Sequence, residues 1–144
     1  MPTVRDLLLH KGGELASIAP TASALAAAQQ MNDRRIGSLL VLEGDTLAGI
    51  FTERDILRRV VAAGRDPAAT PVREVMTSPV LTCVPETSLD ECAAIMTTHR
   101  IRHLPVAGGQ GLQGMVSIGD VLAFQVREHE ATIQYMNSYM FDVR

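Results

Sequence analysis

Sliding the chain by 65 residues lays it over itself. Residues 18–57 then match residues 83–122 at 13 of 40 positions, with no gap. Pro20 falls on Pro85, Ser23 on Ser88, Met31 on Met96, Arg35 on Arg100, Gly49 on Gly114 and Asp55 on Asp120. Upstream, Val4–Leu8 is similar to Val72–Met76 at an offset of 68. The first copy therefore carries three extra residues around Lys11-Gly12-Gly13. Two tandem copies must each close the same supersecondary unit. A chain of 144 residues allows one compact domain with a core, or two small units sharing one.

Each copy reads as β-α-β-β-α behind a short helical turn (4–9; 72–76). Short strands are expected around 15–19 and 80–84. Pro20-Thr21 and Pro85-Glu86 signal helix starts. In the first helix Leu25, Ala28 and Met31 are expected to share a face; in the second, Leu89, Ala93 and Met96. The helices should end near Arg34 and His99. Ser38–Leu42 and His103–Ala107 read as strands, followed by turns and a second strand pair, Leu47–Thr52 and Leu112–Ser117. Closing helices are expected over 54–63 and 119–130. The predicted organisation is a first unit over 1–65, a linker over 66–71, a second unit over 72–128 and a helical extension over 129–144. In that extension Ile133, Met136 and Met140 share a stripe, with Tyr135, Tyr139 and Phe141 beside it.

Composition excludes several classes of partner. Net charge is −3, from 13 basic and 16 acidic residues, which argues against a general nucleic-acid binder. No apolar run reaches the roughly 18 residues a membrane span needs. The start of the chain lacks the pattern of a secretory signal. Cys83 and Cys92 form neither a disulfide framework nor a CxxC pair and read as core residues, so a cytoplasmic location is expected. His10, His99, His103 and His129 show no metal-ligand spacing. No catalytic constellation stands out, and the expectation is a protein that is not an enzyme.

The chemistry is concentrated in Gly49-Ile50-Phe51-Thr52-Glu53-Arg54-Asp55 and its copy Gly114-Met115-Val116-Ser117-Ile118-Gly119-Asp120. Each runs glycine, two apolar residues, a hydroxyl, two variable residues and an aspartate. A strand running into a helix N-terminus would hold the hydroxyl, the carboxylate and backbone N–H groups together, as a polar ligand requires. A carboxylate can accept from both hydroxyls of a ribose, and such charge-assisted bonds are worth about 1.5–3 kcal/mol. A bare helix-end aspartate would contribute about 0.3–1 kcal/mol through the dipole. The duplication favours the ligand role for Asp55 and Asp120. Thr52 and Ser117 divide between helix capping and contact with a ribose or phosphate oxygen. Arg54 suits a phosphate, yet its counterpart is Gly119. Arg35 and Arg100 are explained by their place at helix C-termini. Gly109-Gln110-Gly111-Leu112-Gln113-Gly114 matches G-x-G-x-x-G, but a strand follows it where the dinucleotide fingerprint needs a helix, so it reads as a hairpin turn.

Two such units resemble a tandem pair of cystathionine-beta-synthase (CBS) domains, the Bateman module. The similarity rests on Arg35–Val41 and Arg100–Val106, on both glycine-to-aspartate motifs and on Val75-Met76-Thr77, and it covers residues 4 to about 128. It implies an α/β (α+β) fold of two β-α-β-β-α units about a pseudo-two-fold axis. It also implies two clefts for adenosine-containing ligands: AMP, ADP, ATP, S-adenosylmethionine or NAD. On the same resemblance Arg102 and His103, whose counterparts Gly37 and Ser38 are neutral, are phosphate contacts near the second motif, while Arg54 serves the first, so two non-equivalent sites are expected. The adenine slots are crossed between units. Ala16 and Ile36 would serve the Asp120 site, Leu81 and Ile101 the Asp55 site, and Ile50 and Met115 would floor them; Gly37 belongs to the same pocket set. The ligand is regulatory and no catalytic cofactor is implied. A homodimer is expected, with an unidentified protein target. The rival expectation is an adaptor dimer that has lost ligand binding and acts through its helical faces and C-terminal tail.

Overall fold

The computed structural model describes residues 1–11, 15–109 and 111–142, with side chains through residue 138. Helix α1 (Val4–Lys11) leads to strand β1 (Ser17–Ile18) and helix α2 (Ala24–Arg34). Strands β2 (Ser38–Glu43) and β3 (Thr46–Thr52) follow. Helix α3 opens as an α-turn at Glu53–Asp55 and winds on as a π-helix over Ile56–Val61. A 3-10 turn at Val72–Glu74 opens the second copy. It continues through α4 (Leu89–His99), β4 (His103–Gly108), β5 (Gly111–Ser117) and the long α5 (Ile118–Asp142). This is the mixed α+β architecture that the repeat implies.

The two copies obey one set of local rules. Ser23 and Ser88 cap α2 and α4 by accepting the N–H of Ala26 and Glu91. Both helices end in a left-handed residue, Arg35 at φ 55° and Arg100 at φ 54°. The next N–H reaches back five residues, Ile36 to the Met31 carbonyl at 3.0 Å and Ile101 to Met96 at 2.9 Å. That is a Schellman cap, which sets the direction of Ile36 and Ile101. The buried faces are also equivalent: Ala24, Ala27 and Met31 in α2, Leu89, Cys92 and Met96 in α4. The expected first face was out of phase. Leu25 is exposed, because alanines at 24 and 27 let α2 approach the sheet closely.

β1 lies parallel to β2, and β2 antiparallel to β3. The strand expected at 80–84 contracts to a single parallel bridge between Cys83 and Val106. The reason is one atom. Leu40 donates its N–H to the Ala16 carbonyl at 3.0 Å. Its counterpart is Pro105, which has no N–H to give, so the second sheet keeps only β4 and β5. The closing helices differ too. Gly64, at φ 70°, follows α3; its counterpart His129 continues α5.

Packing crosses the copies. Val4 and Leu7 of α1 are buried with Leu89, Cys92, Met96, Leu104 and Val116 of the second copy. Val72 and Val75 are buried with Ala24, Met31, Leu39 and Phe51 of the first. The backbone repeats the exchange. Val72 N–H meets the Ala22 carbonyl at 2.8 Å, and Val4 N–H meets Thr87 at 2.8 Å. Arg73 donates to Pro20 and Arg5 to Pro85, at 3.0 and 2.9 Å. Each copy's opening segment thus completes the other's core, which gives the pair its pseudo-two-fold symmetry and locks the two units together. Both cysteines lie in the second core, where the contact with the Cys92 thiol and then burial push the Cys83 thiol up, away from the reactive thiolate.

Candidate functional site

The motif glycines owe their place to packing. A Cβ at Gly49 would lie 2.5 Å from Met76 Sδ and 2.9 Å from the Thr77 carbonyl oxygen. A Cβ at Gly114 would lie 2.7 Å from Leu8 Cδ2, and Leu8 is the counterpart of Met76. Each glycine therefore admits the other copy's opening segment, which it draws against the strand that leads to the aspartate.

At the end of β3, Thr52 and Asp55 form a reciprocal capping box. Asp55 Oδ2 accepts from the Thr52 N–H at 3.0 Å and the Thr52 hydroxyl at 3.2 Å. Asp55 Oδ1 accepts from the Thr77 hydroxyl at 3.1 Å and lies 3.7 Å from Arg59 Nε. Asp55 is 6% exposed, so these partners fix the carboxylate before any ligand arrives. Thr77 also exchanges both backbone bonds with Ile50, at 2.8 and 3.0 Å. The expected strand-to-helix turn is present, and Asp55 holds both the helix end and the segment from the second copy.

A cleft of about 210 Å³ opens beside Asp55. Thr52, Arg54, Ile50 and Gly37 line it from the first copy, and Leu81, Ile101, Arg102 and His103 from the second. Leu81 and Ile101, expected on the Asp55 side, lie there with Thr52, Arg54 and Ile50, whereas Arg102 and His103, expected near the second motif, line this cleft instead. Glu53, Thr77, Pro79, Val80 and Arg100 also line it and were not singled out as site residues. Thr77 had stood only as part of the opening V-M-T. Glu53 rests its carboxyl over Gly37, where a Cβ would come within 3.3 Å of Glu53 Cδ. Arg54 donates to the Arg100 carbonyl at 2.8 Å, tying the first motif to the end of α4. A groove continues from the cleft past Arg54, Arg58, Arg100 and Arg102. The arrangement is an apolar slot with fixed hydroxyls and a carboxylate inside and a cationic mouth.

The second motif is built alike and filled differently. Asp120 Oδ2 accepts the Ser117 N–H at 3.0 Å, and the Asp120 N–H returns to Ser117 Oγ at 3.0 Å. The Lys11 ammonium lies 2.5 Å from the same Asp120 oxygen and 2.7 Å from the Met115 carbonyl. Burial pushes the Asp120 carboxyl up, but Lys11 and the Ser117 bonds outweigh it and hold the group below its usual range. Ala16 and Ile36 pack against the first core. Ala16, Ile36, Met115, Ser117 and Asp120 do not line the Asp55 cleft. His103 faces both regions. Burial, then Lys11, lower its pKa, Asp120 opposes them, and Arg102 adds to the lowering.

The CBS-domain family profile matches residues 4–62 and 72–127. The chain belongs to the CBS-domain family. Among curated relatives, CBS domain-containing protein CBSX3, mitochondrial, from Arabidopsis thaliana is 37% identical over 147 residues, covering 96% of this chain and 71% of the relative. The structure of a CBS-domain protein from Burkholderia ambifaria MC40-6 is 41% identical with a TM-score of 0.84, covering 87% of this chain and 94% of that one. CBS domain protein PAE2072 from Pyrobaculum aerophilum, complexed with AMP, is 27% identical with a TM-score of 0.72, covering 82% and 88%. CBS-domain proteins are generally regulatory modules. Among the described residues, no helix is long and apolar enough to cross a membrane, and no cluster of His, Cys, Asp and Glu has the make-up of a metal site.

Proposed function

We propose that the chain is a non-catalytic sensor that binds an adenosine-containing ligand in the Asp55 cleft and signals by a shift between its two units. The supporting observation is convergence: residues chosen on both copies meet in one cleft with an apolar slot, a fixed carboxylate and an arginine-lined mouth. The AMP complex of PAE2072 is consistent with a nucleotide ligand. In this reading Ile50, Leu81 and Ile101 hold adenine, Asp55 and Thr52 take the ribose, and Arg54, Arg102 and His103 face the phosphates. The cleft is smaller than the roughly 300–1,000 Å³ of common ligand pockets. The phosphates then project into the mouth, and the ligand clamps Arg54 of one unit to Arg102 of the other. Binding would favour the arrangement in which both can reach it. Calorimetry with AMP, ADP, ATP, NAD and S-adenosylmethionine tests the proposal. Micromolar to millimolar binding of at least one is expected; no heat from any of them at millimolar concentration would end it.

The module acts as a homodimer in the cytoplasm. Leu57 and Val61 on α3 are exposed, and so are their repeat counterparts Leu122 and Val126 on α5. A symmetric apolar face of this kind suits a second copy. Light scattering should give twice the chain mass; a monomer would refute the dimer. A second reading, an adaptor that works through its tail, is favoured by one observation. Ile133, Tyr135 and Met136 are all exposed along α5, beyond both units. Met140, Tyr139 and Phe141 of the expected stripe lie outside the described side chains. A nucleotide co-purifying with the protein, visible at 260 nm against a chain that lacks Trp, separates the readings.

A further inference from the structure

Lys11 is the only lysine in the chain, and it sits at the three-residue insertion that distinguishes the first copy from the second. It closes α1 and places its ammonium on two atoms of the second motif, the Asp120 carboxylate and the Met115 carbonyl. The equivalent positions in the first motif, Asp55 and Ile50, are instead met by Thr77, through its hydroxyl and its backbone. The counterpart of Thr77 at the offset of 68 is Leu9, which is exposed and has no hydroxyl. The segment arriving from the other copy therefore brings a neutral hydroxyl to one motif and a cation to the other; the cation beside Asp55, Arg59, comes from its own helix and lies 3.7 Å away.

We infer that Lys11 is the specificity-determining residue of the second site. It rests on the nucleotide reading of the duplicated motif. The ammonium holds the carboxylate a ribose would need, so a ligand enters by giving that ammonium a new anionic partner. A nucleoside takes Asp120 and leaves the partly exposed Lys11 ammonium without its anionic partner. A nucleotide takes Asp120 with its ribose and returns a phosphate to Lys11, whose flexible four-carbon stem lets it follow. A sulfonium nucleoside adds a second positive charge beside the first. The second site thus selects phosphorylated nucleotides, whereas the cation beside Asp55, Arg59, lies 3.7 Å from the carboxylate and donates to the Met76 carbonyl, and so gates that cleft less tightly.

A single lysine makes the test local. Lysine-selective 13C and 15N labelling gives one side-chain amine signal. Asp120→Asn should move that signal to the position of a solvated lysine, and an unchanged signal would overturn the contact and the proposal with it. In the native protein AMP should shift the Lys11 signal at concentrations where adenosine does not. In Lys11→Ala, followed through the Met115 methyl signal, the preference for AMP over adenosine at this site should shrink about two- to fivefold, as expected for loss of one partly exposed ion pair. An unchanged preference would overturn the proposal. If neither ligand binds anywhere on the native protein, the nucleotide reading and this selectivity fall together, while the Asp120→Asn spectrum still decides whether Lys11 holds the carboxylate.

Discussion

The Asp55 and Asp120 sites grow from one duplicated motif and reach different chemistry. Both end a strand on a hydroxyl and start a helix on an aspartate three residues later. Around Asp55 the second copy contributes Thr77 and the chain gathers Arg54, Arg58, Arg100 and Arg102. Around Asp120 the first copy contributes Lys11, and the counterparts of Arg54, Arg58 and Arg102 are Gly119, Ala123 and Gly37. The lesson is that a repeat preserves the backbone device while the segment arriving from the other copy decides what the device holds.

The widest gap between the halves is expected at the motif glycines. Gly49→Ala drives a methyl into Met76 and the Thr77 backbone carbonyl, which cannot swing away, and should cost up to about 3 kcal/mol in urea unfolding. Gly114→Ala meets only the flexible end of Leu8 and should cost under about 1 kcal/mol. Equal costs would show that the two opening segments are held alike.

The aspartates come next. Asp55→Ala removes the partner of Thr52, Thr77 and Arg59 at a buried position and should cost about 2–3 kcal/mol. Asp120→Ala, at a more exposed position, should cost about 1 kcal/mol, a helix cap and little more. Calorimetry on the same variants should lose nucleotide binding at one site each; unaffected binding in both would remove the ribose role.

Arg35 and Arg100 sharpen the comparison by separating fold from function. Both occupy left-handed positions where glycine is the usual residue, so Arg35→Gly and Arg100→Gly should each raise stability by about 0.5–1 kcal/mol. Only Arg100 lines the cleft, so only Arg100→Gly should also weaken ATP binding.

The smallest expected effect is in pH. His103 has a folded pKa below its ordinary 6.5, so the unfolded chain takes up a proton first. Stability should fall as pH drops from about 6.5 to that folded value, and His103→Gln should flatten this slope. Asp120 is depressed below its ordinary 3.8. Its contribution is present above that value and lost as pH falls through the folded pKa, a loss that Lys11→Ala should reduce. Urea titrations across both windows measure the two slopes.

Part of the Asp55 cleft was legible because Asp55, the hydroxyl at 52 and Ile101 recur at a fixed offset; Arg102 and His103 have no basic counterparts, and the sequence set them beside the other motif. Thr77 was less so: it belongs to the second copy, and only the exchange of opening segments brings its hydroxyl to Asp55. Lys11 shows the same limit. The three-residue excess around it was plain in the sequence, but its target lies 109 positions away. The loss of the second β1 equivalent was in principle readable from Pro105, once Leu40 was known to donate the pairing bond. The phase of α2 was not legible from periodicity, because in an alanine-rich helix the face holding Leu25, Ala28 and Met31 and the face holding Ala24, Ala27 and Met31 are both apolar, and packing on the sheet selects the second.

The sequence by itself determined two copies of one strand–helix–hairpin–helix plan, the helix starts and turns, and the placing of a carboxylate at each strand-to-helix junction. These follow from local rules: periodicity, capping and the lack of an N–H on proline. Tertiary structure alone decided which opening segment completes which core, and so which side chain meets each aspartate. Such contacts join residues tens of positions apart, and burial of a shared apolar core, rather than any local preference, selects them.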